Sequence, residues 1–123
     1  MIFKHLGLQV LEKDVKSFYE DILHFKILRT FILSEKEAND IFKISQNVKI
    51  LYGNCEGVEL ELFINNDFIK PTFAHIGICT KNAQKIAEEA NKKGYRVFTR
   101  IKENSETYFI SDANSNVFEI KSK

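Results

Sequence analysis

One short motif occurs twice in this chain, and the repeat constrains the fold more than any other feature. His5-Leu6-Gly7-Leu8-Gln9-Val10 is echoed by His75-Ile76-Gly77-Ile78-Cys79-Thr80, each an apolar run with a His, one residue, then a Gly. A helical pattern follows each copy. Val15, Phe18, Tyr19, Ile22 and Leu23 recur at the spacing of one helix face, as do Ala83, Ile86, Ala87 and Ala90. Asp14 and Asn82 stand where an N-cap side chain would accept from the first turn, Gly94 suits the end of the second helix, and His24 holds the matching place in the first. Strand-like segments come next: 25–33, 48–52 and 58–65 in the first half, and 95–101, 107–111 and 117–122 in the second. Each half therefore reads as β-α-β-β-β. The predicted class is α+β, with two βαβββ repeats, 1–69 and 70–123, forming a curved mixed sheet around a central site. The only proline, Pro71, falls in the expected linker, and 34–45 has no counterpart in the second half and predicts a short extra helix. Neither half closes a core alone, so 1–123 is expected to fold as one domain.

Composition narrows the partners. Across 123 residues, 18 Lys+Arg against 17 Asp+Glu leave a formal charge of +1, without the basic excess of a nucleic-acid binder. No apolar run approaches membrane-spanning length and the start is unlike a signal peptide, so a cytoplasmic protein with no membrane partner is expected. Cys55 and Cys79 are expected to be reduced thiols. The charge is uneven: 8 basic and 11 acidic residues in 1–69, 10 and 6 in 70–123. The second half is thus the one suited to draw in an anionic small molecule.

Strand side chains alternate between faces. Leu6, Leu8 and Val10 then oppose His5, Gly7 and Gln9; Leu60, Leu62 and Ile64 oppose Glu59, Glu61, Phe63 and Asn65; Ile76 and Ile78 oppose His75, Gly77 and Cys79; Phe118 and Ile120 oppose Val117, Glu119 and Lys121. One face packs under helices, and the other carries a His or a Glu on every one of these strands, with Gly7 and Gly77 expected to leave room there for a ligand. His5 and Glu61 from one half, with His75 and Glu119 from the other, would meet about a pseudo-twofold axis. Two imidazoles and two carboxylates suit one divalent ion, nickel, zinc, cobalt, manganese or iron. Glu59 shares the face of Glu61 and is the alternative ligand if the register differs by two.

These residues resemble the vicinal oxygen chelate superfamily, which includes glyoxalase I, bleomycin- and fosfomycin-resistance proteins, epimerases and extradiol dioxygenases. The resemblance runs through His5-Leu6-Gly7-Leu8, Phe18-Tyr19, Leu23-His24-Phe25, Glu61-Leu62-Phe63, His75-Ile76-Gly77-Ile78 and the stretch from Ser111 to Ile120. In that stretch Ala113 and Ser115 replace the Pro and Gly of the family's turn. Two His with two Glu look most like glyoxalase I, and 25–30 is similar to that branch's second strand. The resemblance implies a metal-dependent lyase or isomerase. In it Glu119, with Glu61 as second candidate, moves a proton on a metal-chelated hydroxycarbonyl or hemithioacetal. It also implies that Asn65 contacts substrate, as a glutathione-contacting Asn does. Gln9 stands where that branch has an Arg, so the substrate is a thiol adduct other than glutathione's or carries no thiol. Arg29, Arg100 and Tyr52 are further candidate substrate contacts. Phe42 and Ile44 either narrow a pocket or serve only as core. A small-molecule binder without turnover, or another epimerase or isomerase of this fold, stays open as the alternative. A homodimer is expected because such sheets leave open edges, with the site either within one chain or across two.

Overall fold

A computed structural model of the chain describes residues 2, 4–67 and 74–123. The expected linker at 67–72 and the start of the strand expected at 73–79 lie largely outside the described residues. The order is β1 (Leu6–Val10), α1 (Glu12–Asp14, continuing as a π-helical stretch Val15–Glu20), β2 (Lys26–Leu33), α2 (Glu35–Phe42), β3 (Val48–Cys55), β4 (Val58–Ile64), β5 (His75–Thr80), α3 (Ala83–Lys92), β6 (Arg96–Lys102), β7 (Ser105–Ser111) and β8 (Val117–Ser122). The strands form two four-stranded mixed sheets of the same topology, β1-β4-β3-β2 and β5-β8-β7-β6. In each, the first strand runs parallel to the last and the other neighbours are antiparallel. This is the predicted paired βαβββ architecture.

The aliphatic face of each sheet lies against its helix, and one buried cluster joins the halves. It includes Val10, Phe18, Tyr19, Leu60 and Leu62 from the first and Ala83, Ala87, Ile110, Phe118 and Ile120 from the second. The π-helical stretch sets Phe18 and Tyr19 together in the core, both fully buried and both ring-packed on Phe118. A smaller cluster lies on the opposite face of the first sheet, where α2 buries Ala38 against Val48 and Ile50.

The helix ends depart from the capping expectations. The first helix starts at Glu12, so Asp14 is inside it rather than capping it. The Glu12 N–H donates to the side chain of Asn66 (3.1 Å), which frees Asp14 to turn inward and accept from the Tyr95 hydroxyl (2.8 Å) and the Ala113 N–H (2.8 Å). Asn82 holds the N-cap position of α3 but makes no side-chain cap bond, since its backbone (φ −101°, ψ 19°) lacks the extended conformation that capping requires. Gly94 and His24 both take the left-handed conformation expected after the helices, at φ 84° and 58°. Of the apolar residues on α2, Ala38 is fully buried while Ile41 and Phe42 stay exposed. Both cysteines are free, Cys55 buried and Cys79 exposed.

Candidate functional site

The two sheets place their His and Glu residues in the same register. Gly7 pairs with Glu61 across β1 and β4, and Gly77 pairs with Glu119 across β5 and β8. His5 and His75 each stand two residues before the paired glycine. His5 Nε2 lies 3.4 Å from Glu61 Oε2, and His75 Nε2 lies 3.2 Å from Glu119 Oε2. Both carboxylates are mostly covered, with 15% of the side chain exposed, whereas the imidazoles are about half-open at 37% and 46%. Two donors each about 2.1 Å from a shared ion stand about 3.0–3.4 Å apart at right or tetrahedral angles. Each pair therefore fits two adjacent ligand positions of one divalent ion.

The pairs do not meet within the chain. Among the described residues, no group of three or more His, Cys, Asp or Glu side chains converges as a metal site. One chain thus presents two separate His–Glu pairs, one on each sheet. The same register separates Glu61 from Glu59, whose repeat equivalent is Val117. The Glu59 carboxylate is engaged by Lys4 (3.0 Å), whose hydrogen bond, with one from Tyr52, holds it below the usual carboxylate range.

The remaining candidates sort around these pairs. Arg29, Tyr52, Glu61 and Gly7 stand side by side across the first sheet, with the Arg29 guanidinium 4.7 Å from the centre of the Tyr52 ring. Phe98, Phe109, Glu119 and Gly77 form the matching row in the second. Arg100 lies over Phe109 (5.2 Å) and reaches to 3.9 Å from Glu119, while Lys121 sits 3.2 Å from the same carboxylate. Lys121, and then His75, hold the Glu119 carboxyl below its usual range. Gln9 and Asn65 meet each other, the Asn65 amide donating to Gln9 Oε1 at 2.7 Å. Gly7 does not leave the expected space: a Cβ there would stand 3.0 Å from the Phe63 ring, whereas no described residue lies within 4 Å of one at Gly77.

Sequence reading left out two contributors. Lys121 follows Glu119 on the same strand face, and that alternation was its signal. The turn before β8 is the other. Asn114 and Asn116 donate to the Gln9 carbonyl (3.1 and 2.8 Å), tying the second half to the outer edge of β1. The turn is organised by buried Asp112, which accepts from the Asn114 and Asn116 N–H groups, the Asn116 amide and the Tyr19 hydroxyl. Ser115, in the family's Gly position, takes the left-handed conformation at φ 65°.

The two βαβββ sheets, each carrying a His–Glu pair, form a glyoxalase-like α+β fold. Among solved structures, the chain is similar to the FosX fosfomycin resistance protein of Listeria monocytogenes (TM-score 0.76, 12% identity, all of this chain and 93% of that one). It is also similar to a glyoxalase family protein from Enterococcus faecalis (TM-score 0.71, 20% identity, 98% of this chain and 96% of that one). A mutant of the Listeria protein, at TM-score 0.73 and 14% identity over 98% of this chain and 90% of that one, is complexed with manganese(II) and 1S,2S-dihydroxypropylphosphonic acid. No protein-family model and no curated protein matches the sequence. No helix among the described residues is long and apolar enough to cross a membrane.

Proposed function

We propose that this chain is a metal-dependent lyase or isomerase of glyoxalase I type, acting by proton transfer on a hydroxycarbonyl or hemithioacetal. The observation that carries the reading is the matched pair, His5 with Glu61 and His75 with Glu119, on equivalent positions of two sheets. Manganese(II) in a protein of the same fold supports a divalent ion here. His5, Glu61, His75 and Glu119 would hold it. When bound, the ion supplies Lewis-acid stabilisation of negative charge on two neighbouring substrate oxygens. Glu119, kept ionised by Lys121, takes the proton from one carbon and returns it to the next, with Glu61 as the second candidate. Arg100 and Lys121 draw an anionic group toward the second half, and Arg29 does so toward the first. Gln9, neutral and tied to Asn65, offers no partner for the glutathione carboxylate, so a thiol without that group is preferred.

Each chain contributes two half-sites, so the complete site joins His5 and Glu61 of one copy to His75 and Glu119 of a second in a homodimer. Mixing His5→Ala and His75→Ala proteins tests this. A hybrid dimer regains one intact site and with it metal binding, whereas sites built within single chains regain nothing. For the chemistry, methylglyoxal with several thiols and simple hydroxyketones are incubated in heavy water with nickel or zinc. Deuterium entering next to the carbonyl supports the reading, and Glu119→Gln loses that exchange by about two to four orders of magnitude. The exposed Phe98 and the Arg100–Phe109 stack also suit a protein that sequesters a chelating anion without turnover. Saturation at one equivalent per site with no exchange selects that reading.

A further inference from the structure

The two half-sites differ in one respect that bears on substrate choice: a helix covers part of the first and has no counterpart on the second. α2 packs on the site face of the first sheet, beside Val48, Ile50 and Phe63. It stops at Lys43, which is left-handed at φ 63°, and the Ile44 N–H turns back to the Ala38 carbonyl at 3.2 Å. That stop places Phe42 edge-on to Phe63 (5.3 Å between centres) and brings Ile44 beside it. Phe42, Ile44 and Phe63 wall a cavity of about 430 Å³ that also holds His5, Glu61 and Gln9. Among the described residues, no Lys or Arg lines it. Phe63 takes its place because residue 7 is Gly: a Cβ there would meet the ring at 3.0 Å. On the second sheet the equivalent glycine faces open space, and Arg100 and Lys121 stand nearby.

Resting on the metal-site reading above, we propose that this cavity receives an apolar substituent of the substrate, branched or aromatic. Phe42 and Phe63 select it, and Ile44 closes the wall. The volume suits a small molecule, near the lower end of the roughly 300–1,000 Å³ of ligand sites. The polar group that Gln9 presents is a neutral amide already bonded to Asn65, so beyond the metal a carboxylate or phosphate placed here meets no Lys or Arg among the described lining residues, Arg29 standing on the far side of Tyr52. The substrate class is a chelating hydroxycarbonyl with its bulky apolar end toward α2 and its polar end toward the second half.

The test uses zinc-loaded protein and two hydroxamates that chelate through the same pair of oxygens, acetohydroxamate and benzohydroxamate, measured by calorimetry. Benzohydroxamate is expected to bind at least tenfold more tightly, and Phe42→Ala to remove about tenfold of that preference, as burial of a phenyl edge implies. Zinc affinity itself stays unchanged. Phe42→Arg, at a half-exposed position that tolerates charge, shifts the preference toward 4-carboxybenzohydroxamate. An unchanged preference in both variants overturns the inference and leaves the metal reading standing. If zinc does not bind, the metal reading fails, and benzyl alcohol added to metal-free protein decides the cavity by nuclear magnetic resonance. Shifts at the Gly7 and Phe63 amides that vanish in Phe42→Ala support the cavity, and their absence overturns it. Loss of dimerisation in Phe42→Ala with the ligand preference intact shows that a second copy fills the cavity, and also overturns it.

Discussion

Tyr19→Phe isolates one of the hydrogen bonds that join the halves. The Tyr19 hydroxyl donates to Asp112 Oδ2 at 2.8 Å, and both residues are buried. Burial and the neighbouring carboxylates keep the phenol protonated well beyond its usual range, so it remains a donor at any ordinary pH. Phe has nearly the same volume, so no cavity opens and Phe18 and Phe118 keep their packing. What is lost is a hydrogen bond to a buried carboxylate, worth about 2 kcal/mol. For a chain of this size that corresponds to about 8 °C in Tm. The effect carries a pH signature. Burial raises the Asp112 carboxyl above its ordinary value. Between its unfolded and folded pKa values the folded chain therefore binds more protons, and stability falls as pH rises across that window. Removing the phenol donor moves the folded pKa further up and lengthens the fall. The deficit of Tyr19→Phe is then full at neutral pH and shrinks below the Asp112 titration, where a neutral carboxyl loses a weaker bond. Urea unfolding at fixed protein concentration, at pH 7 and near pH 4, reads both numbers with an unchanged m value. A deficit under about 0.5 kcal/mol at pH 7 refutes the argument, as does one that is equal at both pH values.

Gly53→Ala places a Cβ 2.1 Å from the Lys26 carbonyl oxygen, and a cost above about 3 kcal/mol is expected by urea melt or as loss of soluble protein. Gly77→Ala, with no described residue within 4 Å of its Cβ, changes stability by less than about 0.5 kcal/mol in the same assay. Zinc titration of Glu61→Gln shows a loss of at least about a hundredfold in affinity, while Glu59→Gln, already engaged by Lys4, stays within about twofold. The opposite order moves the ligand to Glu59. Asn116→Ala removes a donor both to the Gln9 carbonyl, which Asn114 still holds, and to the buried Asp112 carboxylate, and costs about 2–3 kcal/mol by thermal melt.

Periodicity and the repeated His-x-Gly motif were enough to specify the βαβββ halves, the aliphatic faces, the extra helix and the pairing of His5 with Glu61 and of His75 with Glu119. Each of these follows from alternation along a strand, helix spacing or direct comparison of the halves, all of which are local along the chain. The tertiary structure decided what depends on residues far apart. Strand register made Glu61 the counterpart of Glu119 and left Glu59 to Lys4. Asn66, from the end of the first half, served the helix start, so Asp14 could turn to Tyr95 and Ala113. Phe63 took the space above Gly7 that sequence reading assigned to a ligand. The docking of the two sheets left the two His–Glu pairs apart, because the Asn114 and Asn116 clamp and the shared core set where one sheet stands against the other. No local pattern records that angle; it follows from how side chains from both halves pack together.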